Sequence, residues 1–227
     1  MKRRLRFQNV AVSFCQQERI NAHMIKNVIF DIGNVLTDFR WKAFLEDKGF
    51  AGEDLERIAN ASVLSPIWAE LDRGVWSFEE VMAGFIKNDP GMEEKLHKAF
   101  DDMTDIVTIR DYAIPWIKEL KKQGFRVYYL SNFSEKIERE CEKALVFRGE
   151  TDGGILSWMD KVIKPDPTIY KLLLERFGLN PSECIFLDDT EKNIQAGEAL
   201  GIRGIVYVSQ AQAIKELEDA CESCRRL

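Results

Sequence analysis

No apolar run in the sequence approaches the roughly 20 residues that a helix needs to cross a bilayer, so no membrane span is expected. Nor is there a surplus of cations. The formal net charge is -6, which excludes the basic face that tracks a nucleic-acid backbone and leaves small molecules as the expected partners. Cysteine is sparse: Cys15, Cys141, Cys184, Cys221 and Cys224 are odd in number and scattered, which argues against a disulfide framework and for a reducing, cytoplasmic setting. Cys221 and Cys224 form a CxxC without a second ligand pair and read as two thiols, not a metal knuckle. Internal repeats and low-complexity tracts are missing as well.

What is present is a globular composition, 45% hydrophobic and 31% charged over 227 residues, enough for one large domain or a domain with an insertion. Residues 1–23 open on a basic cluster like a secretory leader, but Gln8, Asn9, Ser13, Gln16 and Gln17 break up any apolar stretch. Gln17-Glu18-Arg19 can be encoded by a purine-rich run resembling a bacterial ribosome-binding site. Translation is therefore expected to begin at Met24, with residues 1–23 an extension that is not made in the cell.

Beyond Met24, short apolar runs alternate with longer amphipathic ones, the pattern of a mainly parallel sheet covered by helices on both faces. Strands are expected at Asn27 to Phe30, Arg126 to Leu130, Lys161 to Ile163, Cys184 to Leu187 and Gly204 to Val208. Helical spacing marks Pro115 to Gln123, closed by Gly124, then Thr168 to Phe177, and Asn193 to Leu200, closed by Gly201. Between about Ala43 and Asp105 strand patterns disappear and helices take over. There, Ser77-Phe78-Glu79-Glu80 has capping-box spacing and Asn88-Asp89-Pro90-Gly91 marks a turn.

Ligands of an open parallel sheet collect at the carboxyl ends of its strands, so the residues that follow each strand matter most. These are Asp31, Ser131-Asn132, Lys164-Pro165 and Asp188-Asp189. Singly, each has a plain structural reading. Asp31 fits the opening of a turn, Asn132 fits a helix N-cap with Glu135 three residues on, and Lys164 fits a surface lysine, although Pro165 biases its backbone toward an extended conformation. The pair Asp188-Asp189 fits such a reading least. Two carboxylates at the rim of an apolar core repel each other unless a cation or hydrogen-bond donors offset the cost, and magnesium, which takes oxygen ligands, suits that place.

Asp31-Ile32-Gly33-Asn34-Val35-Leu36, Leu130-Ser131-Asn132, Lys164-Pro165-Asp166-Pro167 and Phe186-Leu187-Asp188-Asp189 followed by Asn193 resemble, in order and spacing, the haloacid dehalogenase superfamily. Four motifs in order make the resemblance specific. Within the superfamily the sequence looks most like bacterial phosphatases that act on alpha-glucose 1-phosphate. The resemblance implies a Rossmann-like α/β core over residues 24–42 and 106–227 with an α-helical cap inserted over 43–105. It further implies a monomeric or homodimeric phosphatase that hydrolyses a small phosphorylated metabolite. Asp31 would be the nucleophile, forming an aspartyl phosphate, with Lys164 offsetting charge. Ser131 and the Asn132 N–H would hold phosphoryl oxygens. Asp31, Asp188 and the Gly33 carbonyl would bind Mg2+, with Asp189 and Asn193 in support. In the cap, Arg73 and Trp76 within Leu71-Asp72-Arg73-Gly74-Val75-Trp76 would contact substrate, while Asp38-Phe39-Arg40-Trp41 would form a hinge.

One expected group is absent. Most phosphatases of the superfamily carry an aspartate two residues after the nucleophile as acid and base, and here that position is Gly33. Such catalysis is worth about 10²–10⁴ in rate. The glycine leaves three readings open. One is a phosphatase whose proton comes from water, Asp38 or the substrate. Another is a different reaction of the superfamily, phosphonate or halide hydrolysis. The last is a module that binds phosphate without turnover.

Overall fold

The computed structural model describes residues 24–225; the expected start at Met24, Cys15 and the side chain of Cys224 concern residues, or side chains, outside that description. Strands β1 (Asn27–Phe30), β4 (Arg126–Ser131), β5 (Gly153–Leu156), β6 (Cys184–Asp188) and β7 (Arg203–Val206) form one parallel sheet in the order β5-β4-β1-β6-β7. The central strand is written Asn-Val-Ile-Phe because both of its faces are covered, and all four residues are buried. Its alternate side chains serve two separate cores. Val28 and Phe30 join one cluster with Trp116, Ile117, Ala213 and Leu217, while Ile29 joins the other with Ile169, Tyr170, Leu173 and Ile194.

Four of the five expected strands are present. The fifth is displaced: Lys161 to Ile163 is a turn with no strand in it, and β5 lies several residues earlier. Gly153 and Gly154 hide that strand from sequence reading. A Cβ on Gly154 would stand 2.4 Å from the Tyr129 ring, so the close strand contact itself demands glycine where propensity argues against a strand. Helices Ala113–Lys122, Pro167–Phe177 and Glu191–Glu198 match expectation within two residues, and Gly124 and Gly201 adopt the positive φ that closes two of them.

A two-stranded antiparallel ribbon, β2 (Thr37–Phe39) paired with β3 (Val107–Ile109), frames the helical segment. Between them run α1 (Trp41–Asp47), α2 (Gly52–Ala61), α3 (Trp68–Arg73), α4 (Phe78–Asn88) and α5 (Glu93–Phe100), with no strand among the described residues of that stretch. Trp68 stacks on Phe85, and Phe100 meets Trp68 edge-on. The capping box is formed: the Ser77 hydroxyl accepts the Glu80 N–H at 3.2 Å and the Glu80 carboxylate accepts the Ser77 N–H at 2.7 Å.

The turn between α3 and α4 is fastened to the sheet side of the molecule. Ser157 Oγ donates to the Asp72 carbonyl at 2.5 Å and Lys161 Nζ to the Gly74 carbonyl at 2.7 Å. Gly74 has φ +68°, and a Cβ there would lie 2.9 Å from Trp158 Cβ. Gly74→Ala therefore combines left-handed strain with a backbone clash and is expected to cost about 2–4 kcal/mol, lowering the calorimetric midpoint by roughly 10 °C. An unchanged midpoint would show that the turn does not bear on Trp158.

Candidate active site

β1 and β6 are neighbours, so their carboxyl ends deliver Asp31 and Asp188 side by side. The Asp31 N–H still bonds the Leu187 carbonyl at 2.8 Å, one step past the end of β1. Lys164 arrives from a loop, not from a strand end. Its backbone is clasped by the Asn132 side chain, whose Oδ1 accepts the Lys164 N–H at 2.7 Å and whose Nδ2 donates to the Lys164 carbonyl at 3.0 Å. An amide side chain thus makes the two bonds that a neighbouring strand would make. Asn132 is not a helix N-cap. Ser134 takes that place for the helix Glu135–Glu140, accepting the Ile137 N–H at 3.2 Å.

The centre of the site is the Lys164 ammonium, 2.8 Å from Asp31 Oδ1 and 2.6 Å from Asp188 Oδ2. Asp188 has no exposed surface, and Lys164 and Asp31 are buried. Asn193 Nδ2 reaches both Asp188 oxygens at 3.0 Å, the Thr190 N–H reaches Oδ1 at 2.8 Å, and Tyr170 holds Asn193 through its carbonyl at 2.8 Å. Asp189 is exposed and takes a 2.9 Å hydrogen bond from Asn34 Nδ2. Asn34, at φ +56° in the loop after Asp31, supports the site through this bond, a part that its place in the sequence does not reveal.

Electrostatics follow from that packing. Burial pushes the Asp31 carboxyl up, Lys164 opposes, Asp188 adds to the rise, and the net direction is upward. For Lys164, burial disfavours the charge, but the two carboxylates more than offset it and hold the ammonium above its usual value. Oxygens of Asp31, Asp188 and Asp189 lie within 4.8 Å of one another. Three carboxylates against one lysine make an all-oxygen donor set with excess negative charge, which fits a hard divalent cation such as Mg2+. Asp31, Asp188 and Asp189 are the residues that would hold it.

Of the remaining expected residues, Ser131 is buried at the end of β4 and favours the ionised form of Asp31. Arg73 ends α3 and pairs with Glu70 of the same helix at 3.1 Å. Trp76 is 41% exposed on the turn. Asp38 is engaged by Arg110, through Nε at 2.8 Å and Nη2 at 2.7 Å. Gly33 lies beside Asp31, and a Cβ built on it would meet nothing within 4 Å.

One further carboxyl near the site has almost no signal in the sequence. Asp72, in the last turn of α3, has its carbonyl held by Ser157; its carboxyl is partly buried and is pushed up to about 7 by burial and by Asp31, with Lys164 pulling the other way. The signal available in the sequence was only its place before Arg73-Gly74. Folded Asp72 keeps its proton to about 7, whereas the unfolded chain releases it near the ordinary value of 3.8, so wild-type stability drops as pH rises between these values. Asp72→Asn is expected to gain on the wild type across that window, by at most roughly 4 kcal/mol, and to hold a constant lead above it. Urea titrations from pH 4 to 8 without divalent cations measure the difference; a pH-independent difference would contradict the shift.

Comparison with known proteins agrees with this geometry. A family model described as a haloacid dehalogenase-like hydrolase matches residues 25–201. The sesquiterpene phosphatase astK of Aspergillus oryzae is 27% identical over 85% of this chain and 94% of its own length. The D-ribitol-5-phosphate phosphatase of Bacteroides thetaiotaomicron is 28% identical over 78% and 89%. Acyl-CoA dehydrogenase family member 10 of Mus musculus is 35% identical, but over 45% of this chain and only 9% of its own length, so the chain spans a small part of that relative. Among solved structures, a HAD-family enzyme of Bacteroides thetaiotaomicron in complex with magnesium and inorganic phosphate superposes with TM-score 0.62 at 23% identity, over 82% of this chain and 96% of that one. The L-2-haloacid dehalogenase of Xanthobacter autotrophicus gives 0.58 at 18%, over 86% and 83%. These two share the fold. With its family model spanning most of the chain, the protein belongs to the haloacid dehalogenase-like hydrolases.

Proposed function

We propose that the protein is a magnesium-dependent phosphatase of a small phosphorylated metabolite, a sugar phosphate such as alpha-glucose 1-phosphate. The observation that carries this reading is the Lys164 ammonium held between Asp31 and Asp188, with Asp189 completing a three-carboxylate donor set. Halide displacement from carbon has no use for such a donor set. Phosphoryl transfer has, because the group in flight carries negative oxygens that must be neutralised in place. That full-length relatives act on phosphate esters, by their names, supports the same choice.

In this reading an Asp31 oxygen attacks phosphorus and forms an aspartyl phosphate, which water then hydrolyses. Lys164 balances charge on the nucleophile and the incoming phosphate. The Ser131 hydroxyl and the Asn132 N–H hold phosphoryl oxygens. Asp31, Asp188 and the Gly33 carbonyl would hold Mg2+, with Asp189 supporting as the third carboxylate of the cluster, and the ion would supply charge stabilisation to the transferring group. Asn193 keeps Asp188 oriented. Residues 24–42 and 106–227 act as the core and 43–105 as a cap that excludes water, with Arg73, once released from Glu70, and Trp76 reaching the substrate. The working form is a cytoplasmic monomer or homodimer with neither nucleic-acid nor membrane partners.

Phosphate release from p-nitrophenyl phosphate and alpha-glucose 1-phosphate tests the reading. Turnover should require Mg2+ and fall at least about 10³-fold in Asp31→Asn. Mg2+ should also raise the melting temperature of the wild type and not of Asp188→Asn, a ligand-linked shift independent of activity. Turnover that survives Asp31→Asn would sink the proposal.

A further inference from the structure

We propose that Asp72 is the general acid and base of this active site, supplied by the helical segment in place of the side chain that Gly33 lacks. The inference rests on the phosphatase reading above. Its first support is the space at Gly33. A side chain there would find nothing within 4 Å of its Cβ, so the flank of Asp31 where an acid could stand is open. Its second is how Asp72 is held. Ser157 fixes its carbonyl, Lys161 fixes that of Gly74, and Trp158 packs against the turn, so the backbone that carries Asp72 is anchored to the sheet side of the molecule.

The carboxyl itself is left over. Among the described residues it makes no hydrogen bond and no ion pair, yet it is partly buried and within the electrostatic reach of Asp31 and Lys164. A carboxyl so placed costs stability unless a ligand uses it. The other nearby acids are occupied. Asp188 is bound by Lys164, Asn193 and the Thr190 N–H; Asp189 by Asn34; and Asp38 by Arg110. Asp31 and Lys164 face Asp72 from the core, and the Glu70–Arg73 pair shares its helix. Burial and Asp31 push the Asp72 carboxyl up to about 7, the range in which a group both gives and takes a proton at neutral pH.

The chemistry balances with water as the sole co-reactant. As Asp31 attacks phosphorus and the bond from phosphorus to the leaving oxygen breaks, Asp72 passes its proton to that oxygen and the alcohol departs. Water then attacks the aspartyl phosphate and yields a proton to the Asp72 carboxylate while the bond from phosphorus to Asp31 breaks. Inorganic phosphate leaves and Asp72 is protonated again.

The test is the leaving-group dependence of kcat/KM for wild type, Asp72→Asn, Gly33→Asp/Asp72→Asn and Asp31→Asn in saturating Mg2+. The esters are p-nitrophenyl, phenyl and benzyl phosphate, which differ little in shape. Nitrophenolate leaves without a proton, whereas the benzyl alkoxide needs one. Asp72→Asn should lose less than about 10-fold on the nitrophenyl ester and about 10²–10⁴-fold on the benzyl ester. A burst of nitrophenolate should appear as hydrolysis of the aspartyl phosphate slows, and the basic limb of the wild-type benzyl pH profile should vanish. Restoring the acid in Gly33→Asp/Asp72→Asn should recover most of the benzyl rate. A uniform loss across the three esters, or none, overturns the role of Asp72 while Asp31→Asn, inactive on all, leaves the phosphatase reading standing. A wild type that hydrolyses none of the three overturns both.

Discussion

Everything in the site depends on one buried cation. Lys164 lies between two carboxylates that the sheet order forces together, since β1 and β6 are hydrogen-bonded neighbours and both end at the same rim. A buried ion pair is a weak source of stability, because desolvating its charges consumes much of what their attraction returns. The surrounding bonds therefore carry the arrangement. Asn132 holds the Lys164 backbone, Asn193 and the Thr190 N–H hold Asp188, and Tyr170 holds Asn193. Parts of the chain far apart in sequence meet at one charge, and none can shift without uncovering it.

Parts of this were legible in the sequence because the signal was local. Val28-Ile29-Phe30 and Ile185-Phe186-Leu187 are continuous apolar runs, as a strand covered on both faces requires, and each gives way to a carboxylate at the rim. The capping box at Ser77 and Glu80 was equally local. The third strand is not legible because two opposing cues coincide. Gly153-Gly154 looks like a break, yet it is an edge strand whose glycine makes room for Tyr129, and Lys161 to Ile163 looks like a strand because Val162-Ile163 is apolar and leads into Lys164-Pro165. Lys164 is placed by an Asn132 side chain that imitates strand pairing, and no periodicity announces that.

Asp72 was illegible for a stronger reason. Its neighbours in sequence are a helix end and a turn glycine, which describe any surface loop. Its importance comes from Ser157, Lys161 and Trp158, which are distant in the chain and fasten the turn across the crevice. Only the tertiary contact turns an ordinary helix-end aspartate into a partly buried carboxyl within the electrostatic reach of Asp31.

Placing the acid on the helical segment has a consequence that an aspartate at position 33 would not have. An acid beside the nucleophile on the same loop is present whether the crevice is open or shut. An acid on the turn is in reach only while Ser157 holds the Asp72 carbonyl, that is, while the helical segment is seated. Exclusion of water and supply of the proton then become one event, because both require the same contact. An ester too bulky for the turn to seat over it would leave Asp31 and Lys164 able to bind its phosphate but would keep Asp72 away from its leaving oxygen. Discrimination would thus appear in the protonation step, where a good leaving group escapes it and a poor one does not, so selectivity among alkyl phosphates would be stricter than among activated aryl esters.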